Sequence, residues 1–191
     1  MKNKFIFLTS KFPISNFKLR YNGFTLIELL VTIAIIGLLS TMALISVNVA
    51  RQKAKIAVVQ HDTDQIFKAI TMLGNDTEVW PGQQAVDAVN VGANNEICDD
   101  GCTYGLSDSR AGITSTDGNY PGWYGPYMNM IKFDPWNNEY FFDTDYRVTV
   151  DDEPCNGGGT CVDAVVVGSY GPDGLGNNQY NGDDIIKILI K

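Results

Sequence analysis

Between Arg20 and Arg51 the chain has a single ionisable side chain, Glu28, and from Leu29 to Ala50 it reads LLVTIAIIGLLSTMALISVNVA, 22 residues without a charge. As an α-helix at about 1.5 Å per residue, that run is roughly 33 Å long, enough to cross a hydrocarbon core of about 30 Å. Residues 1–23 hold five cations and no acid (Lys2, Lys4, Lys11, Lys18, Arg20), which favours an N-terminus held on the cytoplasmic side; Arg51, Lys53 and Lys55, just beyond the run, oppose that bias. The expectation is a single-pass anchor in the cytoplasmic membrane with its N-terminus inside.

A cleaved secretory signal is the first competitor, but such signals carry an apolar region of about 7–15 residues closed by a small-residue site. Here the run is longer and continues into Arg51-Gln52-Lys53-Ala54-Lys55-Ile56-Ala57, a good helix former with no breaker. The first stop signal is Gly74-Asn75. The pattern predicts one helix from about Phe24 to Leu73, roughly 75 Å long. In its second half Ala50, Ala54, Ala57, Val58, Ile66, Ala69, Ile70 and Leu73 recur near helical spacing, so one face is expected to be buried.

After Gly74 the texture shifts to Gly, Asn, Asp, Tyr and Trp. Trp80-Pro81-Gly82 marks a turn, Gln83–Val91 reads as a short helix or irregular turn, and the stretch 92–125 reads as a long exposed loop. Glu139–Asp143, Tyr146–Val150, Val162–Ser169 and the segment from Ile185 to the end have strand character. The fold class expected is α+β: a long N-terminal helix packed on a small C-terminal antiparallel sheet. Four regions follow: a basic leader 1–23, a membrane helix 24–50, an amphipathic helical spine 51–74 and an extracytoplasmic β domain 75–191. Beyond the leader, nine cations stand against 22 acids. A net charge of −13 argues against nucleic acid as the direct partner, since that affinity comes from Lys and Arg neutralising phosphates.

The stretch Gly23-Phe24-Thr25-Leu26-Ile27-Glu28, after a basic leader and before an uninterrupted apolar helix, resembles the processing site of the type IV pilin superfamily. The resemblance implies cleavage after Gly23 by a prepilin peptidase and N-methylation of the new terminus at Phe24. It also implies that Glu28 meets the terminal amine of a neighbouring copy when the helices bundle. A carboxylate in an apolar segment costs on the order of 2.5–3.5 kcal/mol at mid-bilayer and less near the headgroups; a nearby opposite charge offsets much of that. Trp80-Pro81, then Asp134-Pro135-Trp136-Asn137-Asn138, then Ser169-Tyr170-Gly171-Pro172-Asp173-Gly174 and Gly182-Asp183-Asp184-Ile185, bring the resemblance nearest to the major pseudopilins of type II secretion systems. The departures are Asn137 where that group usually has Gly, the insertion at about 92–125, and a membrane segment without the Pro that many relatives carry.

Asp173, Asp183 and Asp184 lie in a Gly- and Asn-rich segment whose carboxylates and carbonyls suit a hard cation, although the spacing is not an EF-hand and a solvated acidic turn is the plain alternative. In the related pseudopilins this loop holds Ca²⁺, so the resemblance implies a structural Ca²⁺ site. Four cysteines allow three connectivities; the local pairing, Cys98 with Cys102 and Cys155 with Cys161, is expected in an oxidising compartment. A Cys₄ zinc site and reduced thiols are the alternatives. His61, the lone histidine, has no catalytic partner pattern, and no nucleophile triad, P-loop or dinucleotide fingerprint occurs in the sequence. The expected role is a non-enzymatic structural subunit that polymerises with itself into a periplasmic or surface filament. Implied partners are the prepilin peptidase, an inner-membrane assembly platform with its ATPase, and minor pseudopilins. A type IV pilus pilin for adhesion, motility or DNA uptake is the first alternative, and a membrane-anchored extracellular binding domain that never polymerises is the second.

Overall fold

The computed structural model describes residues 23–86, 88–92, 96–97, 104–155, 160–176, 180 and 182–191. Two compact units divide between Ser46 and Val47, and each is described by itself. The first is helical from Leu26 onward, and all its described side chains are exposed. It opens the helix α1, Leu26–Thr77, 52 residues with no interruption, as expected of a segment without Pro.

In the second unit α1 buries Val59, Thr63, Ile66, Ala69, Ile70, Leu73, Gly74 and Thr77, a stripe at steps of three and four residues. Ala50, Ala54, Ala57 and Val58 are exposed, so the buried face starts later than the spacing suggested. Val58 lies about 100° round the helix from the buried Val59, off the stripe that faces the core at this level. The helix also outruns Gly74. The left-handed residue that ends it is Glu78 (φ 60°), whose N–H donates to the Gly74 carbonyl at 2.9 Å. Gly74 serves packing instead: a Cβ there would stand 3.0 Å from the Trp80 indole.

A two-residue hairpin follows, β1 (Val79–Trp80) with β2 (Gln84–Ala85), around a 3₁₀ turn at Pro81–Gln83. The main sheet is an antiparallel meander in the order β3 (Phe141–Val148), β4 (Val162–Ser169), β5 (Ile185–Ile190). Its register pairs Phe141 with Gly168, Val148 with Val162, and Ser169 with Ile185. The two strands expected at 139–150 are one strand with a bulge between Asp143 and Tyr146. That extra residue turns Tyr146 to the same side as Phe141, and the two rings stack with centroids 5.7 Å apart.

Both faces of the sheet are covered. Phe142, Val165 and Val167 join Val59, Ile66, Ile70 and Leu73 of α1 in the main core. Phe141, Tyr146, Val148, Ala164, Val166 and Tyr170 form a second core on the opposite face, with Tyr180 packed against it. The unbroken apolar run Ala164-Val165-Val166-Val167 therefore belongs to a strand buried on both sides.

The described residues of the segment 92–125 do not all lie in an exposed loop. Ile97, Leu106, Ala111, Ile113 and Tyr120 are buried in the main core, and Ile97 bridges Phe142 of β3. Irregular backbone survives there because side chains satisfy it: the Tyr120 hydroxyl donates to the Arg110 carbonyl at 2.6 Å and accepts from the Gly82 N–H at 2.9 Å, and the Trp123 indole N–H donates to the Gly112 carbonyl at 2.7 Å. The polar composition hid these few apolar anchors.

Candidate assembly segment and cation loop

Thr25 and Glu28 form a capping box at the head of α1. The Thr25 N–H and hydroxyl donate to Glu28 Oε2 at 3.0 and 2.8 Å, and the Glu28 N–H donates to Thr25 Oγ1 at 3.3 Å. The Thr-x-x-Glu spacing is the sequence signature of this cap. Beyond the cap, each turn presents uncovered aliphatic side chains, Leu26 being 82% exposed and Ile36 61%. The hydroxyls in this stretch are satisfied within it: Thr32 donates to the Leu29 carbonyl, Ser40 to Ile36, Thr41 to Leu38 and Ser46 to Met42. Such a surface offers hydrocarbon few unmet polar groups. Among the described residues, α1 alone is long and apolar enough to cross a membrane. Gly23 and Phe24 come just before the Thr25 cap, exposed, with no close neighbour around the Gly23 α-carbon.

The second arrangement joins stretches far apart in sequence. Asp134, buried, accepts from the N–H groups of Trp136 and Asn138 at 2.9 and 2.8 Å and from the Ser169 hydroxyl at 2.6 Å. Ser169 Oγ in turn accepts from the Gly171 N–H at 3.1 Å, and the Asn138 amide donates to the Gly171 carbonyl at 3.0 Å. The Asp134–Asn138 and Ser169–Gly174 stretches thus form one hydrogen-bonded unit. Asn137 adopts φ 74°, the left-handed conformation that Gly takes most easily and Asn tolerates.

In the loop after β4, the Asp173 N–H donates to Asp183 Oδ2 at 3.3 Å, which brings these two acids together. Asp173 Oδ1 accepts from the Leu175 N–H at 2.8 Å. Gly171 makes the approach possible: it has φ 67°, and a Cβ there would collide with the backbone of Asp183. Asp184 goes elsewhere. It is buried, with Oδ2 accepting the Tyr146 hydroxyl at 2.5 Å, and burial together with this carboxylate pushes the Tyr146 pKa up, so the phenol stays the donor. Among the described residues no three His, Cys, Asp or Glu side chains gather as a metal cluster. The Ser169 hydroxyl at the start of this loop is held by Asp134.

Cys155 and Cys161 are joined, with α-carbons 5.9 Å apart, in the usual range for a disulfide. Cys98 and Cys102 lie outside the described residues. His61 is exposed, on the rim of a cavity of about 200 Å³ also lined by Asp62, Gln65, Met128, Met130 and Tyr140. Within it the Tyr140 hydroxyl donates to Asp62 Oδ2 at 3.0 Å.

The family model for the prokaryotic N-terminal methylation motif matches residues 18–44. The chain is also similar to the type II secretion system core protein G of Pseudomonas aeruginosa, 26% identical over 120 residues, 62% of this chain and 70% of that protein. No solved structure matches the chain.

Proposed function

We propose that this chain, which carries the N-terminal methylation motif and is a relative of a type II secretion core protein, is a pseudopilin: a non-enzymatic subunit that polymerises into a filament serving protein secretion. The observation that carries the reading is the head of α1, where a long, uncovered apolar surface is broken by one carboxylate, Glu28, inside the matched motif. In this reading the leader ends at Gly23, a prepilin peptidase frees and methylates Phe24, and the apolar surface holds the subunit in the cytoplasmic membrane with its N-terminus inside. On assembly the same surface packs against other copies, and Glu28 exchanges its Thr25 donors for the amine of a neighbour. An assembly platform, its ATPase and minor pseudopilins are the partners of that step.

The test is Glu28→Ala in the native assembly system. Fibres should be lost while membrane insertion is retained; fibres at the normal level would refute the pairing role. The mature chain should begin with methylated Phe24 by mass spectrometry, and a different start would exclude the processing step.

The loop after β4 is the proposed Ca²⁺ site, with Asp173 and Asp183 as its carboxylates and backbone carbonyls completing the shell; Asp184, committed to Tyr146, braces the loop rather than ligating. Ca²⁺ binding to the folded state alone raises the melting temperature by mass action. Addition of Ca²⁺ should raise it in the wild type and leave an Asp173→Ala, Asp183→Ala variant unmoved.

A further inference from the structure

Three of the nine cations beyond Gly23 fall within five residues, Arg51, Lys53 and Lys55, immediately after the uncharged run ends at Ala50. The other ion pairs of this unit are made elsewhere: Lys187 with Asp64 at 2.9 Å, Lys191 with Asp152 at 2.7 Å, Arg110 with Asp108 at 2.9 Å. Among the described residues none of the three clustered cations meets a carboxylate, in a body that is otherwise acidic. Lys55 instead lies over the Trp136 ring, 5.3 Å from its centroid. At 100° per residue, Arg51 and Lys55 share one side of α1 and Lys53 takes the opposite side. The charges therefore stand on two opposite sides of the helix.

We infer that Arg51, Lys53 and Lys55, with Trp136 beside them, form a collar that binds the phosphates of anionic lipid headgroups. The inference rests on the membrane-spanning reading above. From Arg51 to Lys55 the helix rises about 6 Å, and the headgroup layer on one side of a bilayer is about 5–8 Å deep. The collar fills that layer. Cations on two opposite sides of the helix suit a planar lipid surface that surrounds it before assembly. Trp136 is the residue type that settles at such an interface, and it holds Lys55 at that level. The acidic remainder is repelled by the same lipids, so the collar sets the depth at which this stretch of α1 sits.

The full-length chain reconstituted in phosphatidylcholine bilayers containing some phosphatidylglycerol tests this, with spin-labelled analogues of both lipids reporting the shell around the helix. Each cation is expected to contribute about a fivefold preference for phosphatidylglycerol, weakened by salt. The triple variant Arg51→Gln, Lys53→Gln, Lys55→Gln should show no preference, and Trp136→Ala a partial loss. Alkaline extraction of the same samples reports insertion. Release of the wild type by alkali removes the membrane reading and the collar with it. Retention with equal lipid preference in wild type and triple variant overturns the collar alone. A wild type indifferent to lipid, whose Lys53→Cys form cross-links between copies, assigns the cations to a neighbouring chain and overturns it equally.

Discussion

Two carboxylates in the β domain show how much one residue governs. Asp134 is buried with two backbone donors and the Ser169 hydroxyl on it, and charged hydrogen bonds of this kind are worth about 1.5–3 kcal/mol each when broken one-sidedly. Asp134→Ala is expected to cost about 3 kcal/mol in urea unfolding, and Asp134→Asn less. At its neighbour Asn137 (φ 74°), Ala should cost about 1 kcal/mol and Gly should be tolerated. Asp143 is the opposite case. Burial, reinforced by Asp145 and Glu96, pushes its pKa up to about 8 despite the Asp145 N–H it accepts at 2.8 Å. Below about pH 4 the carboxyl is protonated whether the chain is folded or not, and its contribution is whole. As pH rises towards 8 the unfolded chain has shed that proton while the folded one keeps it, so stability falls through this window. Asp143→Asn should flatten the decline in a series of denaturant titrations at stepped pH; an unchanged slope would assign it to other groups.

At the level of elements, α1 depends on a glycine where helix propensity would prefer alanine. Gly74→Ala gains about 1 kcal/mol of propensity, yet the added methyl would stand 3.0 Å from the Trp80 indole, so a net loss of melting temperature is expected. Between β3 and β4 the strap closed by Cys155 and Cys161 is also held by the Cys155 N–H on the Arg147 carbonyl at 3.0 Å. Replacing both cysteines with serine should cost about 2 kcal/mol, little for a disulfide because the loop is short. These elements differ in how far the sequence disclosed them. The helix was legible because period and composition are local, and β4 and β5 because an apolar run near a turn admits few readings. The continuity of β3 was not, since a bulge is settled by the partner strand. The core role of Ile97, Leu106 and Ile113 was hidden by polar neighbours. Asp173 was legible as an acid in a turn, but nothing local distinguishes Asp184 from Asp183; only the position of Tyr146, 38 residues upstream of Asp184, decides which one turns inward.

On the scale of the whole molecule, the proposed function separates the part that joins copies from the part that folds. Glu28→Gln should leave the melting of the β domain unchanged while reducing fibre yield steeply; a drop in both would show that the head of α1 supports the fold as well. The meander has consequences of its own under the proposed assembly. Its outer strands are where stray pairing with another copy would begin. β3 is closed off on that side by the bridges of Ile97 to Phe142 and of Pro154 to Val148. β5 carries Lys187 within it, and Lys191 directly follows; each is tied to an acid of its own chain. If the subunits are packed in a filament as proposed, these covered and charged edges disfavour amyloid-like stacking of one β domain on the next.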